Sequence, residues 1–255
     1  MNYRKLPISK WTNGVRNISS DDIACETLVK LWYNEDLISS LLASPEHSEY
    51  LLRGHLATEG YVSAKELMVE QDITTSVDLE GSISVKFTGE HNLKRKYGST
   101  KPTTTSCGAC NLDGLQSLIS ELPLVDVYDK FDISIIYPGL EEMKSHQVGF
   151  SKTGGMHCAG LLDSSGKLLS YSEDIGRHNA VDKVIGKSLG KVDLNRSILL
   201  LSGRCGWDIV AKAARCNIAN IASIGACSTM ASDCARSLGI TIFSFVRENS
   251  AVIIG

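Results

Sequence analysis

Residues 196–246 read RSILLLSGRCGWDIVAKAARCNIANIASIGACSTMASDCARSLGITIFSFV, and this segment determines the fold class. Three short apolar runs of strand length, ILLL, IANIASI and ITIFSFV, alternate with two segments of helical length, WDIVAKAARCN and TMASDCARSLG. A helical face precedes them in GRHNAVDKVIGKSLG, residues 176–190. Strands that alternate with helices predict a partly parallel sheet covered by helices, which is an α/β layer domain.

Further elements are predicted upstream of this segment. MHCAGLLDSSGKLLSYSED, residues 156–174, predicts two strands around an Asp-Ser-Ser-Gly turn. YPGLEEMKSHQVGFSKTGG, residues 137–155, predicts one helix, and LDGLQSLISEL, residues 112–122, predicts another.

The first part of the chain has a different pattern. A hairpin is predicted around the turn Asn34-Glu35-Asp36, and two more strands around Glu80-Gly81. Between them we expect a helix with Ser44 as its N-cap, Pro45 at its first position and Gly60 as its stop. We therefore predict a small α+β domain over residues 1–90, a flexible loop over residues 91–114 and an α/β domain over residues 115–255.

Composition excludes several classes of protein. The chain has 255 residues, of which 43% are hydrophobic and 22% are charged, as in ordinary globular proteins. A net charge of −3 carries no footprint of nucleic-acid binding. The N-terminus MNYRKLPISKWTNG has no apolar signal region, and the apolar runs are too short to span a membrane. We expect a cytoplasmic protein that binds neither nucleic acid nor membrane.

Two cysteines, Cys107 and Cys110, form a C-x-x-C pair in the polar segment KPTTTSCGACNLDG, residues 101–114. A zinc site needs four ligands, and no second pair is present. The other candidate ligands lack ligand-pair spacing; they are His157, Cys158, His178 and Cys205. A thioredoxin-like redox pair and an exposed persulfide carrier are the alternatives, and the pair alone leaves them open.

Three further cysteines fall in apolar segments. Cys216, Cys227 and Cys234 are predicted to be small buried hydrophobic residues rather than reactive thiols.

Small and cationic residues stand at predicted junctions between helices and strands. Gly154 and Gly155 leave room for a phosphate to approach backbone amides, and Arg177 and His178 open a helix. Helix N-termini attract phosphate, and ligands in open α/β sheets lie beyond the carboxyl ends of the strands. Gly203 and Arg204 repeat the arrangement at the next junction. The alternative is structural, a helix cap or an ion pair with Asp174, Asp182 or Asp208.

Several motifs together resemble one family. They are TTTSCGAC, KTGGMHCAGLLDSSGKLLSYSEDIGRHNAVDKVIG, the segment from LLLSGRCGWD to FSFVR, and NEDLISSLLASPEHSEYLLRGHLATEGYV. Nearly the whole chain is thereby similar to the formate dehydrogenase accessory sulfurtransferases, the FdhD family. The block EDIGRHNAVDKVIG combined with SCGAC is highly specific.

The resemblance implies a sulfurtransferase-type carrier that acts through a cysteine persulfide. Such a carrier accepts sulfur from a cysteine desulfurase and passes it to the molybdenum (or tungsten) bis(molybdopterin guanine dinucleotide) cofactor, bound as a substrate, before that cofactor enters formate dehydrogenase. Carried onto this chain, Cys107 bears the persulfide and Cys110 is its partner, although the order of the two thiols is open.

The resemblance also implies a cofactor site and a fold. Residues expected to bind the cofactor are Phe245, Val246, Arg247, Glu248, Asn249 and Ser250, together with Arg177 and His178 at the helix start. The implied fold is a cytidine-deaminase-like three-layer α/β domain with a smaller N-terminal α+β domain, usually as a homodimer, with no structural metal.

Two other functions are alternatives to sulfur transfer. Zinc deaminases need H-x-E at one helix start and C-x-x-C at the next, but Ala180 stands in place of the glutamate and Asp208 in place of the second cysteine. The proton-transferring residue and one metal ligand are therefore absent, and deamination is rejected. A fold can persist without the chemistry of its relatives. The other rival is a chaperone that binds and delivers the cofactor without sulfur transfer.

Overall fold

The computed structural model describes residues 1–68, 72–90, 93, 119–126 and 131–255. The predicted loop over residues 91–114, apart from Leu93, lies outside these ranges, and so do Cys107 and Cys110. The described strands form three separate sheets of two, four and six strands, combined with helices into a mixed α/β architecture. No helix in the described ranges is long and apolar enough to cross a membrane.

A two-stranded hairpin opens the chain. Strands β1 (Tyr3–Thr12) and β2 (Val15–Ala24) pair antiparallel over their full length. The turn residues Asn13 and Gly14 have φ values of 51° and 83°, the left-handed pair that a two-residue hairpin loop requires. This hairpin is not among the predicted elements, although Asn-Gly between two strand-like runs is a recognised signal for it.

The second sheet has the order β4-β3-β6-β5. Both hairpins predicted for this region are confirmed, and β3 and β6 pair parallel in the middle of the sheet. The strands are β3 (Thr27–Tyr33), β4 (Asp36–Ala43), β5 (Asp72–Val77) and β6 (Ile83–Thr88).

Helix α1 spans Ser48–Thr58, so the predicted N-cap at Ser44 is wrong. The residue at the cap is His47, with φ 62°, and it makes no side-chain capping bond. Ser44 instead joins distant elements: its Oγ accepts a bond from the Ile175 amide at 3.0 Å, and its own amide donates to Asp174 Oδ2 at 3.1 Å. The stop at Gly60 holds, with φ 76° just beyond the helix.

The third sheet carries the α/β pattern. Its order is β12-β11-β10-β9-β7-β8, in which β9, β10 and β11 are parallel and the other pairs are antiparallel. The predicted partly parallel sheet is therefore confirmed. The final strand β12, which folds back on β11, was not expected. The strands are β7 (His157–Leu162), β8 (Leu168–Asp174), β9 (Ile198–Leu201), β10 (Asn220–Ser223), β11 (Thr241–Arg247) and β12 (Ser250–Ile254).

Helices cover both faces of this sheet. They are α2 (Ile136–Ser145), α3 (Val148–Thr153), α4 (Arg177–Ser188), α5 (Trp207–Arg215) and α6 (Thr229–Leu238). Successive residues of β9 point to opposite faces: Leu199 and Leu201 pack in one hydrophobic cluster with α4, α5 and α6, and Ile198 and Leu200 in another with α2. The single helix predicted over residues 137–155 is broken at His146 and Gln147 into α2 and α3.

Helix α1 packs closely on α4. A Cβ atom added at Gly54 would overlap the carbonyl oxygen of Asp182, and one at Gly186 would overlap that of Tyr50. One continuous hydrophobic cluster accordingly runs from the four-stranded sheet through α1 to one face of the six-stranded sheet. The division into domains at residues 90 and 115 stays a prediction.

Candidate functional site

One edge of the six-stranded sheet gathers the residues that the sequence singled out. The parallel strands β9, β10 and β11 end there, and each of the first two leads into a helix. Because β7 is antiparallel to β9 and β8 is antiparallel to β7, the first residue of β7 and the last of β8 lie at the same edge. His157 and Asp174, directly paired across these strands, mark this end.

Arg177 and His178 lie at this edge, at the start of α4. The helix has Gly176 as its N-cap and no side-chain cap, so its first amides find no acceptor within the described residues. The Nε atom of Arg177 is buried and has no hydrogen-bond partner there either. These free donors suit an anionic ligand.

Arg177 and His178 also pair with Asp208, as the structural alternative to ligand binding predicts. His178 Nε2 makes a short contact with Asp208 Oδ2, and Arg177 Nη2 lies 3.7 Å from the same oxygen. Burial would raise the pKa of Asp208, but the hydrogen bond and charge of His178, followed by the charge of Arg177, hold it below its usual value. An ionised Asp208 therefore orients the His178 ring and offsets part of the local positive charge.

The Asp208 pairing bears on the rejected deaminase chemistry. Asp208 occupies the position of a metal-binding cysteine and accepts from His178. Within the part of the chain that the structure describes, no group of three or more His, Cys, Asp or Glu residues could hold a metal ion.

His157, which the sequence suggests only as a candidate metal ligand, also lies at this edge. Its ring is half-buried and has no hydrogen-bond partner among the described residues. Burial lowers the pKa of His157, and the nearby charges of Arg177, His178 and Arg204 lower it further. The signal that could have found it is topological: it begins a strand that runs antiparallel to the strand before Arg204.

The loops after β9 and β10 support each other. Ser223 Oγ donates to the Gly203 carbonyl, and the Gly225 amide donates to Ser223 Oγ at 3.0 Å. A Cβ atom at Gly225 would lie 3.1 Å from the Arg204 amide nitrogen, so Gly225 permits this close approach. These contacts fix the backbone of the loop from which the exposed side chain of Arg204 projects.

The predicted cofactor-binding segment, residues 245–250, also reaches this edge. Phe245, Val246 and Arg247 end β11, Glu248 and Asn249 make the turn, and Ser250 starts β12. A shift of register between Ser244 and Arg247 produces a bulge, which re-aims side chains.

The residues of this segment differ in exposure and in their hydrogen bonds. Phe245 has φ 51°, uncommon for a bulky residue, and its amide donates to the Gly225 carbonyl at 2.9 Å while its ring is 48% exposed. Arg247 Nη1 donates to the carbonyls of Ile224 and Val246 at 2.9 and 2.7 Å. Val246 is only 2% exposed and packs in the cluster with α2, so its side chain faces the core.

The expectation for Gly154 and Gly155 is wrong. Gly154 ends α3, and its amide donates to the Phe150 carbonyl at 2.7 Å. The Gly155 amide donates to Thr153 Oγ1 at 3.1 Å. Both amides are engaged within the chain and are not available to a phosphate.

Buried thiols at and near the edge are poor nucleophiles. Burial raises the pKa of Cys158 to about 12, and burial also raises the pKa values of Cys205 and Cys234. Burial likewise raises the pKa of Cys216 to about 12. The prediction that Cys216 and Cys234 are buried is confirmed, whereas Cys227 is only half-buried.

Comparison with known proteins gives consistent matches over almost the full length. The model of the FdhD/NarQ family matches residues 24–254, beginning where the hairpin β1–β2 ends. A sulfur carrier protein FdhD from Sulfolobus acidocaldarius is 35% identical over 254 residues, covering 98% of this chain and 95% of that protein. Another, from Corynebacterium efficiens, is 30% identical over 261 residues, covering 95% and 92%.

A solved structure is also similar. The crystal structure of a formate dehydrogenase accessory protein from Desulfotalea psychrophila has a TM-score of 0.77 at 25% identity. The match covers 99% of this chain and 97% of that one.

Proposed function

The chain belongs to the FdhD/NarQ family, and from that premise we propose that it is a sulfur carrier in the maturation of formate dehydrogenase. It takes persulfide sulfur from a cysteine desulfurase and transfers it to the molybdenum bis(molybdopterin guanine dinucleotide) cofactor before insertion. The observation that carries the proposal is the near full-length similarity to relatives named as sulfur carrier proteins.

Cys107 is the residue that bears the sulfur in this proposal. Its thiolate attacks the outer sulfur of the desulfurase persulfide, the S–S bond of that persulfide breaks, and the desulfurase cysteine leaves as a thiolate. The thiol partner Cys110 then attacks the inner sulfur of the Cys107 persulfide. A Cys107–Cys110 disulfide forms and hydrosulfide leaves for the metal, so the two electrons come from the C-x-x-C pair.

The edge of the six-stranded sheet is the proposed binding site for the cofactor as substrate. The substrate carries pyrophosphate groups, and the unpaired buried Nε of Arg177 and the free amides at the start of α4 are donors that fit them. The exposed ring of Phe245 offers a stacking surface for a guanine base. Asp208 holds the His178 ring so that its outward face is fixed.

The resemblance supports further parts of the proposal. The α/β domain is proposed to be cytidine-deaminase-like, and the protein to act as a homodimer in the cytoplasm with a desulfurase and formate dehydrogenase as partners. The remaining proposed contacts in the turn are Glu248, Asn249 and Ser250.

The deciding experiment is the intact mass of the purified protein after incubation with a cysteine desulfurase and cysteine. We expect the mass of one or more sulfur atoms to be gained, removed again by a thiol reductant, and lost in Cys107→Ala. Cys216→Ala is the matched control, because the buried thiol should contribute nothing. A protein that binds guanine dinucleotide tightly but gains no sulfur would be a delivery chaperone instead.

A second measurement tests the substrate site. Arg247→Ala should weaken the binding of guanosine diphosphate, because the loops after β10 and β11 lose the bond from Arg247 to the Ile224 carbonyl. Cys107→Ala should leave that affinity unchanged. Equal affinity of wild type and Arg247→Ala would remove Arg247 from the site.

A further inference from the structure

The loops after β9 and β10 have the same layout, and each carries a cysteine at the same place. In both loops a glycine lies two residues before the cysteine and a helix begins two residues after it. Cys205 precedes Gly206, the N-cap of α5, and Cys227 precedes Ser228, the N-cap of α6. Because β9 and β10 are parallel neighbours, the two cysteines leave the sheet side by side.

Backbone hydrogen bonds place the two cysteines opposite each other. The Cys205 amide donates to the Ala226 carbonyl at 3.0 Å, and the Ser228 amide donates to the Cys205 carbonyl at 3.2 Å. Cys205 and Cys227 thereby form a parallel bridge beyond the ends of the strands. Residues paired in this way have Cα atoms about 4.8 Å apart and side chains on the same face. That separation lies within the range that a disulfide spans, roughly 4.4–6.8 Å.

The side chains confirm that the two thiols lie on the same face of the sheet. Cys205 belongs to the hydrophobic cluster that includes α4, α5 and α6, and Cys227 packs against that same cluster. Burial raises the pKa of Cys205, and the charges of Cys227, Asp208 and Cys234 raise it further. The two thiols are therefore close enough to interact, and both are free.

The two thiols differ in their access to solvent. Cys227 is half-buried, whereas Cys205 is only 1% exposed. A dissolved oxidant therefore meets Cys227 first, and the oxidised sulfur then lies beside a protected thiol. An accessible thiol with a second, resolving thiol next to it is the arrangement of reversible oxidation sites.

We propose that Cys205 and Cys227 form a reversible oxidation site, at which hydrogen peroxide converts the two thiols into a disulfide. The Cys227 thiolate attacks one peroxide oxygen, the O–O bond breaks, and the leaving hydroxide takes up the thiol proton as water. Cys205 then attacks the sulfur of the Cys227 sulfenic acid, the S–O bond breaks, and a second water leaves with the Cys205 proton. Two thiols thus lose two electrons and two protons, and one peroxide becomes two waters.

The adjacency of the two residues makes the second step feasible. Buried Cys205 has a small thiolate fraction, but its attack on Cys227 is intramolecular, which offsets that disadvantage. The disulfide joins the loop from which Arg204 projects to the loop whose Ile224 carbonyl accepts from Arg247. Oxidation therefore fixes these two loops of the candidate site relative to each other. Its effect on the cofactor rests on the proposed function, whereas the disulfide itself does not.

The experiment treats the full chain with hydrogen peroxide, blocks the remaining thiols with iodoacetamide and maps the tryptic peptides without reduction. Trypsin releases Cys205 in CGWDIVAK, residues 205–212, and Cys227 in CNIANIASIGACSTMASDCAR, residues 216–236. We expect these peptides to appear joined, with a mass two hydrogen atoms below their sum, and to separate after a thiol reductant. Cys107 and Cys110 lie on a different tryptic peptide, so their oxidation does not interfere.

Matched variants identify the bond, because the second peptide contains three cysteines. Cys227→Ser should abolish the joined peptide, whereas Cys216→Ala and Cys234→Ala should retain it in similar yield. A joined peptide that persists in Cys227→Ser would overturn the proposal. So would its absence from the wild type at a peroxide concentration that already prevents labelling of half-buried Cys25. A wild type that forms the joined peptide but gains no sulfur from the desulfurase would refute the sulfur carrier alone.

Discussion

A buried ionic network between α1, α4 and α5 leads to the sharpest stability prediction. Lys212 Nζ lies 2.7 Å from Asp182 Oδ1, 2.7 Å from Glu59 Oε1 and 3.0 Å from Thr58 Oγ1. The Lys212 and Asp182 side chains are each only 2% exposed. Lys212→Met keeps a similar volume but leaves two carboxylates without their main cation.

The expected cost follows from that burial. Removing one partner of a buried ion pair costs about 3–5 kcal/mol, because the remaining charge stays desolvated. For a chain of this size the same loss lowers the Tm by roughly 6–20 °C. We expect urea unfolding followed by circular dichroism to give this difference at neutral pH, with Lys144→Met on the surface of α2 nearly unchanged.

The stabilising effect of this network depends on pH. In the wild type, burial raises the pKa of Asp182, but the charge of Lys212 together with the hydrogen bond and charge of His55 outweighs it, and the pKa lies below its usual value. Burial also raises the pKa of Glu59, but the charges of Lys212, His55 and Arg215 together hold it below its usual value. Both groups therefore stabilise the fold above about pH 4, the unfolded value, and this contribution is lost as the pH falls.

In Lys212→Met the direction reverses for Asp182. Burial without its main cation raises the folded pKa above the unfolded value, so the penalty grows as the pH rises above about 4. The difference between wild type and variant should therefore shrink on going from neutral pH to about pH 4. A difference below about 1 kcal/mol at neutral pH, or one that is equal at both pH values, would refute the reasoning. The double variant with Asp182→Asn should recover part of the loss.

Two further outcomes are expected. Gly54→Ala should destabilise the protein by about 3 kcal/mol in the same urea assay, because its methyl group would overlap the Asp182 carbonyl oxygen. Gly155→Ala, whose methyl group would make only ordinary contacts, should be tolerated. Equal stability of the two variants would contradict the close packing of α1 on α4. Cys216 should escape alkylation by iodoacetamide in the native protein, because burial raises the pKa of its thiol to about 12, whereas half-buried Cys25 should react. Peptide mass spectrometry measures the labelling of each cysteine. Rapid labelling of Cys216 would contradict its burial.

Elements that depend on local pattern were predictable from the sequence. The apolar runs of β9, β10 and β11 and the amphipathic segments of α4, α5 and α6 specify their own secondary structure over a few residues, and the structure agrees with each. Turn residues are equally local, as at Glu80-Gly81. The alternation of these strands and helices also predicts that the junctions carrying Arg177 and Arg204 lie at the same edge of the sheet, because parallel strands end together.

Contacts between distant segments were decided only by the tertiary structure. Ser44 looks like a helix cap in the sequence, yet it bonds 131 residues away to Ile175, because β4 ends beside the turn before α4. The junction glycines show the same limit: Gly154 looks like a phosphate contact, but its amide already closes α3.

The candidate site shows the same division. Sequence motifs predict that Arg177, His178 and residues 245–250 bind the substrate, and the resemblance to sulfur carriers predicts that Cys107 and Cys110 carry the sulfur. Which side chains keep an unpaired positive charge, however, depends on Asp208, 30 residues from His178. The register of β7 beside β9 decides that His157 lies at the same edge. A helix or a turn is determined within a few neighbouring residues, whereas the charge balance of a site depends on which strands and helices pack together.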